Sequence, residues 1–293
     1  MHVQVIPEAV AERIRAQLEQ DGFRLGSAPY ATFEAVGSDV RVTYYPKKQK
    51  LLLQGNGTGG LLVRLSELLG PPPEDRSEPA DHQIEETTIG SDESGKGDYF
   101  GSLVVAGCRV EPKDLPWIEK MGVKDSKLAS RHAILMLEGR ILDRLETAVV
   151  ELEPVEYGRR HEETGNVNRI LGEAHARVIR ELRKSGGCNR AVVDRFGGEH
   201  LVRDALGRAG KNLTLIQIPR AEANPAVACA SFIARARFLR SLERLSDEVG
   251  VDLLPGASRE VEDCARKVAA VGGRELLARV AKMHFKTTQR VLQ

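Results

Sequence analysis

Residues 89–102 read IGSDESGKGDYFGS. The apolar run TTIGSD ends in two adjacent carboxylates, Asp92 and Glu93, and Gly95 and Gly97 follow at once, where a glycine backbone can come close to a ligand. Polar groups at the carboxyl ends of strands are where α/β sheets build their sites. Two chemistries compete for the segment. Residues 90–96 fit G-x-x-x-x-G-K, the pattern of a phosphate-cradling loop. Gly97, however, stands where a Ser or Thr should hold magnesium, and Asp92 and Glu93 would put two negative charges inside the cradle. The other reading is that the carboxylates bind hard divalent cations, Mg²⁺ or Mn²⁺. Such ions want oxygen ligands and, as a pair, can activate water and neutralise the leaving oxygen of a phosphodiester.

Two ions need more than two acids. Asp194 is a third, at the end of the apolar strand AVVD before a Gly-Gly turn; its plain alternative is to cap a helix beginning near Gly198. Glu222, in RAEANPAVACASFIAR, is a fourth. It precedes a helix whose Ala226, Ala228, Ala230 and Ser231 allow close packing on a sheet, and a carboxylate there also complements the helix dipole. No Cys-His or Ser-His arrangement points to nucleophilic catalysis. Four acids at strand ends or a helix entry make a coherent two-metal constellation.

Around these acids, TTIGSD, SLVVAGCRV, AVVELEPVEY, AVVDRFGG and LTLIQIP read as strands, and residues 166–187 and 224–245 as helices. Strands followed by helix–strand alternation predict an α/β domain, a mixed sheet flanked by helices, over residues 87–293. Residues 71–86, PPPEDRSEPADHQIEE, join three prolines to acidic and polar residues and read as a stiff, solvated linker. Residues 1–70 form a small α+β unit: a strand HVQVI, a helix with Val10, Ile14 and Leu18 on one face, strands ATFEAV, VRVTYY and KLLLQG, and a closing helix GGLLVRLSELLG. The turn PKKQK beside Tyr44 and Tyr45 suits a nucleic-acid contact, with Lys47 and Lys48 neutralising phosphate and the tyrosines offering stacking faces. Equally, it suits a solvated hairpin tip with one tyrosine turned to the core.

The 293 residues, 41% apolar and 29% charged, suit a globular protein with a real core and exclude a disulfide-dependent miniprotein. No apolar run is long enough for a membrane helix, and the opening residues lack the pattern of a secretory signal. Cys108, Cys188, Cys229 and Cys264 are far apart with no C-x-x-C pair, as expected of reduced packing residues in a cytoplasmic protein. The net charge of +1 divides into about +1 over residues 1–70, −5 over 71–86 and +5 over 87–293, so a nucleic-acid partner is compatible with the total.

These residues resemble the prokaryotic type 2 ribonucleases H and, within them, the ribonucleases HIII. The resemblance spans nearly the whole chain. It is carried by GSDESGKGDYFG, GVKDSKLAS at 122–130, AVVDRFGG at 191–198 and AVACASFIARARFL at 226–239. Gly95-Lys96-Gly97 and a leading domain look like HIII; the HII branch usually has Gly-Arg-Gly and no such domain. Two departures stand out: Ser102 where the family commonly has Pro, and Glu222 where HII members have Asp, although HIII members often have Glu.

The resemblance implies a ribonuclease H-like fold preceded by a domain similar to a TATA-binding-protein half-fold that helps hold substrate. It implies endonucleolytic cleavage of the RNA strand of an RNA/DNA hybrid duplex with Mg²⁺ or Mn²⁺, leaving 5′-phosphate and 3′-hydroxyl ends. The metal-binding and catalytic acids carry over to Asp92, Glu93, Asp194 and Glu222. Ser94, Gly95, Lys96 and Gly97 correspond to the loop that recognises ribose 2′-hydroxyls, and Asp125, Ser126 and Lys127 to a segment bordering the site. The alternatives are HII-like incision at single embedded ribonucleotides and a hybrid-binding module without catalysis. A monomer without membrane association is expected. His161 is expected in a loop and His175 in a structural role. His284 and the Arg235, Arg237 and Arg240 cluster are possible substrate contacts or solvated residues.

Overall fold

The computed structural model describes residues 2–55, 57–69, 84–123 and 129–293, with the side chains of His2 and Lys48 left out. The chain divides into two compact units, Met1–Arg76 and Ser77–Gln293. Most of the segment expected as a linker, residues 71–83, lies outside the described residues.

In the first unit, strands β1 (His2–Val5), β2 (Arg24–Gly26), β3 (Phe33–Val36), β4 (Arg41–Tyr45) and β5 (Lys50–Gln54) form one antiparallel sheet in the order β1-β5-β4-β3-β2. Helices α1 (Glu8–Gln20) and α2 (Thr58–Leu69) pack on one face. Period-two alternation sends Phe33, Ala35, Val42, Tyr44, Leu51 and Leu53 into the core against Ile14, Leu18, Leu61 and Leu65. On α1, Ala11 shares the buried face with Ile14 and Leu18, while Val10 stays half-buried. The sequence reading missed β2, whose three residues are too few to show a period.

The second unit is built on a mixed sheet in the order β10-β9-β6-β7-β8: β6 (Thr88–Ser94), β7 (Leu103–Val110), β8 (Glu146–Leu152), β9 (Arg190–Asp194) and β10 (Thr214–Ile218). β6 runs antiparallel to β7 and parallel to β9, and β9 runs parallel to β10. The helices are α3 (Leu115–Met121), α4 (Arg131–Arg144), α5 (Pro154–Thr164), α6 (Val167–Leu182), α7 (His200–Leu206), α8 (Pro225–Val249), α9 (Arg259–Val280, broken at Gly272 and Gly273) and α10 (Lys286–Val291). One expected strand overran: after Leu152 the chain turns into α5. Glu153 is in the extended conformation and Pro154 occupies the first helical turn, where its missing N–H costs nothing. His161 is therefore helical, stacked on His284 with ring centroids 4.1 Å apart.

The sheet is covered on both sides. α6 packs on one face with Ile89, Leu103, Val105, Ala191 and Val193, and α8 on the other with Val104, Ala106 and Cys108. α8 begins at Asn224, whose side-chain oxygen accepts from the amides of Ala226 and Val227. It lies unusually close to the sheet. A Cβ built on Gly90 would come within 2.1 Å of the Ala226 carbonyl carbon, so only glycine fits beneath this helix entry. The small residues Ala226, Ala228 and Ala230 are buried along the same contact. All four cysteines are buried and free. Among the described residues, no helix is long and apolar enough to cross a membrane.

Candidate active site

Sheet register brings the acids together. Ser91 pairs with Val193 across the parallel β6–β9 ladder, so Asp92 and Asp194 are the next residues on adjacent strands, at the same level of the sheet. Alternation then separates the neighbours Asp92 and Glu93. Asp92 projects toward α8, where Ser231 hydrogen-bonds its carboxylate, while Glu93 projects toward α6 and His175. At the end of the strand both reach one cleft of about 240 Å³, lined by Asp92, Glu93, Ser94, Gly95, Lys96, Gly97, Asp98, Asp194, Ser231 and Arg235.

Asp92 is 7% exposed and its Oδ1 accepts from the Glu93 amide at 2.8 Å. Burial, then the charges of Glu93 and Asp194, push its pKa up to about 7, against the pull of the Ser231 and Glu93 hydrogen bonds. Asp194 Oδ1 accepts from the amide of Ala221 at 3.1 Å, which ties β9 to the short 3-10 helix Ala221–Ala223. It does not cap the next helix, which starts at His200 behind Glu199. Glu222 lies in that 3-10 helix, half-buried, and is not among the residues lining the cleft.

Glu93 is bracketed. His175 Nε2 is 3.3 Å from its Oε2, and Lys96 Nζ is 4.0 Å from its Oε1. Lys96 also donates to the Phe196 carbonyl at 2.9 Å and sits over that ring. The glycine loop is held from both ends. Gly95 has φ +90°, and a Cβ there would meet the Ser102 carbonyl oxygen at 2.1 Å, whereas a Cβ on Gly97 would meet nothing. Lys282, fully buried, donates from Nζ to the carbonyls of Asp98 (3.0 Å), Phe100 (3.3 Å) and Gly101 (2.6 Å). Burial lowers its pKa to about 7, with Asp98 opposing the shift.

Among the described residues, no three His, Cys, Asp or Glu side chains close into a preformed metal cage. The donor set nevertheless suits a hard cation. Mg²⁺ keeps several waters and takes one or two carboxylates plus substrate phosphate in place of a full protein cage. Moreover, the like charges that raise the Asp92 pKa are what a divalent ion at the strand ends would relieve.

Tyr44 is a correction. It is fully buried in the N-terminal core, 6.2 Å from the Phe33 ring, with its hydroxyl donating to the Ile6 carbonyl, so it offers no stacking face. Tyr45 is half-buried and Lys47 exposed beside a short 3-10 turn, Pro46–Lys48; the side chain of Lys48 lies outside the described residues, as do Asp125, Ser126 and Lys127. Arg237 and Arg240 turn away from the cleft to the buried Glu138, leaving Arg235 as the arginine of that cluster in the cleft. The sequence reading underrated His175 and Arg235 and missed Lys282. His175 had a signal: it continues the apolar stripe of α6 from Leu171 to Ile179, where a polar residue needs a buried partner.

Residues 89–288 match the family model described as Ribonuclease HII. A protein named Ribonuclease HIII from Protochlamydia amoebophila is 33% identical over 97% of this chain and 94% of its own length. One from Chlamydia trachomatis serovar L2 is 33% identical over 95% and 93%. The crystal structure of Bst-RNase HIII in complex with Mn²⁺ superposes with a TM-score of 0.69 at 28% identity, covering 99% of this chain and 97% of that one.

Proposed function

The chain belongs to the ribonuclease HII family, on its ribonuclease HIII side, and from that premise we propose that its cleft is a metal-dependent site for cutting the RNA strand of an RNA/DNA hybrid. The observation that carries the site is the β6–β9 register, which sets Asp92 and Asp194 level with one another beside Glu93. In this reading Asp92, Glu93 and Asp194 hold Mg²⁺ or Mn²⁺, and Glu222 joins from the 3-10 helix beside β9. When bound, the ions supply a water of lowered pKa and charge stabilisation for the departing 3′-oxygen, leaving a 5′-phosphate.

The chain's own residues do the positioning. Ser231 holds the Asp92 carboxylate against α8. The loop Ser94–Gly97 lays its backbone along the cleft, where amides and carbonyls can read the 2′-hydroxyl that separates RNA from DNA. Lys96 and Arg235 bring positive charge to the backbone phosphates. In the N-terminal unit, Tyr45, Lys47 and Lys48 help hold the duplex, as does the segment Asp125, Ser126 and Lys127. The protein works as a cytoplasmic monomer whose four cysteines stay reduced.

The test is cleavage of a labelled hybrid with Mg²⁺ or Mn²⁺. Asp92→Asn and Asp194→Asn should each abolish cutting while retaining hybrid binding; wild-type turnover in either variant overturns the reading. A duplex carrying a lone ribonucleotide, run beside one carrying a run of them, separates the HIII from the HII mode of incision.

A further inference from the structure

His175 lies on α6 under the cleft, fully buried, between two residues of β6 that share a face of the sheet: Ser91 and Glu93. Its Nδ1 is 2.7 Å from Ser91 Oγ and its Nε2 is 3.3 Å from Glu93 Oε2. Phe196, just beyond β9, covers the ring with a centroid distance of 4.8 Å and an interplanar angle of 7°. The imidazole therefore cannot swing, because its plane is fixed by stacking and both nitrogens are engaged.

The proton pattern follows from the partners. Ser91 has a single hydroxyl hydrogen and two neighbours able to accept it, the Ala106 carbonyl oxygen at 2.9 Å and His175 Nδ1. If the hydrogen goes to Nδ1, the ring proton is on Nε2. If it goes to Ala106, Nδ1 of the neutral ring must donate to Ser91, and a bare Nε2 would face the carboxylate lone pair to lone pair, which disfavours that arrangement. The favoured arrangement puts an N–H on Nε2, donating to Glu93 Oε2.

We propose that His175 is a positioning residue that fixes Glu93 Oε2 and thereby presents Oε1 as the single oxygen Glu93 offers to a divalent cation. Lys96 sits 4.0 Å from Oε1, on the cleft side, and only one-third exposed. Its ammonium balances that oxygen's charge and can turn to substrate phosphate instead. Glu93 is thus fixed through one oxygen by His175, while the other faces the exchangeable ammonium of Lys96. An unheld glutamate would divide its time among several rotamers, and ordering it on binding would cost affinity.

This inference rests on the reading of Glu93 as a metal ligand, and the experiment separates the two. Mn²⁺ affinity is measured by electron paramagnetic resonance of the free ion and by calorimetry, on the full chain without substrate, for wild type, E93Q, H175A, H175Q and S91A, each checked for its thermal transition. H175A should weaken Mn²⁺ binding by about 10–100-fold, the usual effect of removing a group that orients a ligand. H175Q, whose amide nitrogen can reach Oε2, should recover most of it. S91A keeps the ring and its packing and should lose affinity in the same direction by a smaller factor. Hybrid cleavage by H175A should be restored by raising Mn²⁺, with the KM for hybrid unchanged.

Wild-type Mn²⁺ affinity in E93Q would overturn the ligand reading and this inference with it. Loss in E93Q but wild-type affinity in folded H175A would overturn the role of His175 alone. Equal loss in H175A and H175Q would reduce that role to packing. Should H175A fail to fold, wild-type affinity in S91A beside loss in E93Q would overturn the role of His175, whereas loss in both supports it.

Discussion

Lys282 Nζ donates to the carbonyl oxygen of Gly101 at 2.6 Å, across 181 residues of sequence, so a side chain near the C-terminus pins the loop that leaves the acidic strand. The same ammonium bonds the carbonyls of Asp98 and Phe100, and the amide of Lys282 donates to the Tyr99 carbonyl. Burial lowers the folded-state pKa of Lys282 to about 7, below that of an exposed lysine. Between those two values the unfolded chain binds more protons than the folded one, so stability rises with pH across this window, by at most about 1.4 kcal/mol per unit. Urea unfolding of the wild type should show that slope above about pH 7. Lys282→Met should lack it and, with the carbonyls left unpaired, be less stable by about 1–3 kcal/mol at neutral pH.

Asp92 gives the opposite slope. Its folded-state pKa, pushed up to about 7, is above that of a free aspartate, so its contribution is fully present below the unfolded value and is lost as pH rises through about 7. At about pH 8 the buried carboxylate costs up to about 4 kcal/mol. Asp92→Asn should therefore be inactive yet melt higher than wild type at that pH, with the gap closing toward about pH 4. Added Mg²⁺ should raise the melting temperature of the wild type and leave that of the variant in place. Calorimetric scans across pH, with and without Mg²⁺, check both statements.

The two glycines of the loop should respond differently. Gly95→Ala meets both a positive φ and the Ser102 carbonyl, and should cost about 1–3 kcal/mol of stability. Gly97→Ala has open space and should change stability by no more than about 0.5 kcal/mol. Gly97 lines the cleft, so kcat/KM on a hybrid should fall about tenfold or more, roughly 1.4 kcal/mol of transition-state binding. Steady-state kinetics beside urea unfolding separates the two effects.

In the N-terminal unit, Tyr44→Ala should remove a core aromatic at a cost of about 3–5 kcal/mol and melt that unit. Tyr44→Phe should be nearly silent, because the hydroxyl bond to Ile6 is long, at 3.4 Å. Tyr45→Ala and Lys47→Ala should leave folding intact, raise the KM for a hybrid and spare kcat. Salt titration of hybrid binding should show a shallower slope for Lys47→Ala.

Much of the fold could be read from the sequence because its strands are short apolar runs bounded by turn residues, and α6 and α8 are long enough to display a period. The failures came where pattern is shortest or where one residue outweighs it. β2 has three residues, and Pro154 converts an alternating run into a helix start. At the site, Asp92, Glu93 and Asp194 stand out as candidates because they are carboxylates at strand ends beside glycines. Two further facts depend on geometry: Asp92 and Glu93 reach the cleft from opposite faces of the sheet, and Ser231, His175 and Lys282 brace the acids and the loop after them from three different helices or their ends. No local spacing encodes these long-range partners. Tyr44 and Tyr45 were indistinguishable in composition, and only register decides which one turns inward.

The contact between Gly90 and Ala226 bears on how this enzyme could adapt to its work. A strand and a helix that touch backbone to backbone, two residues before the first acid, leave no slack for a sliding or breathing jaw. Shape changes during turnover must then arise away from this junction. Substitutions that retune selectivity should accordingly accumulate around the mouth, while this junction stays frozen.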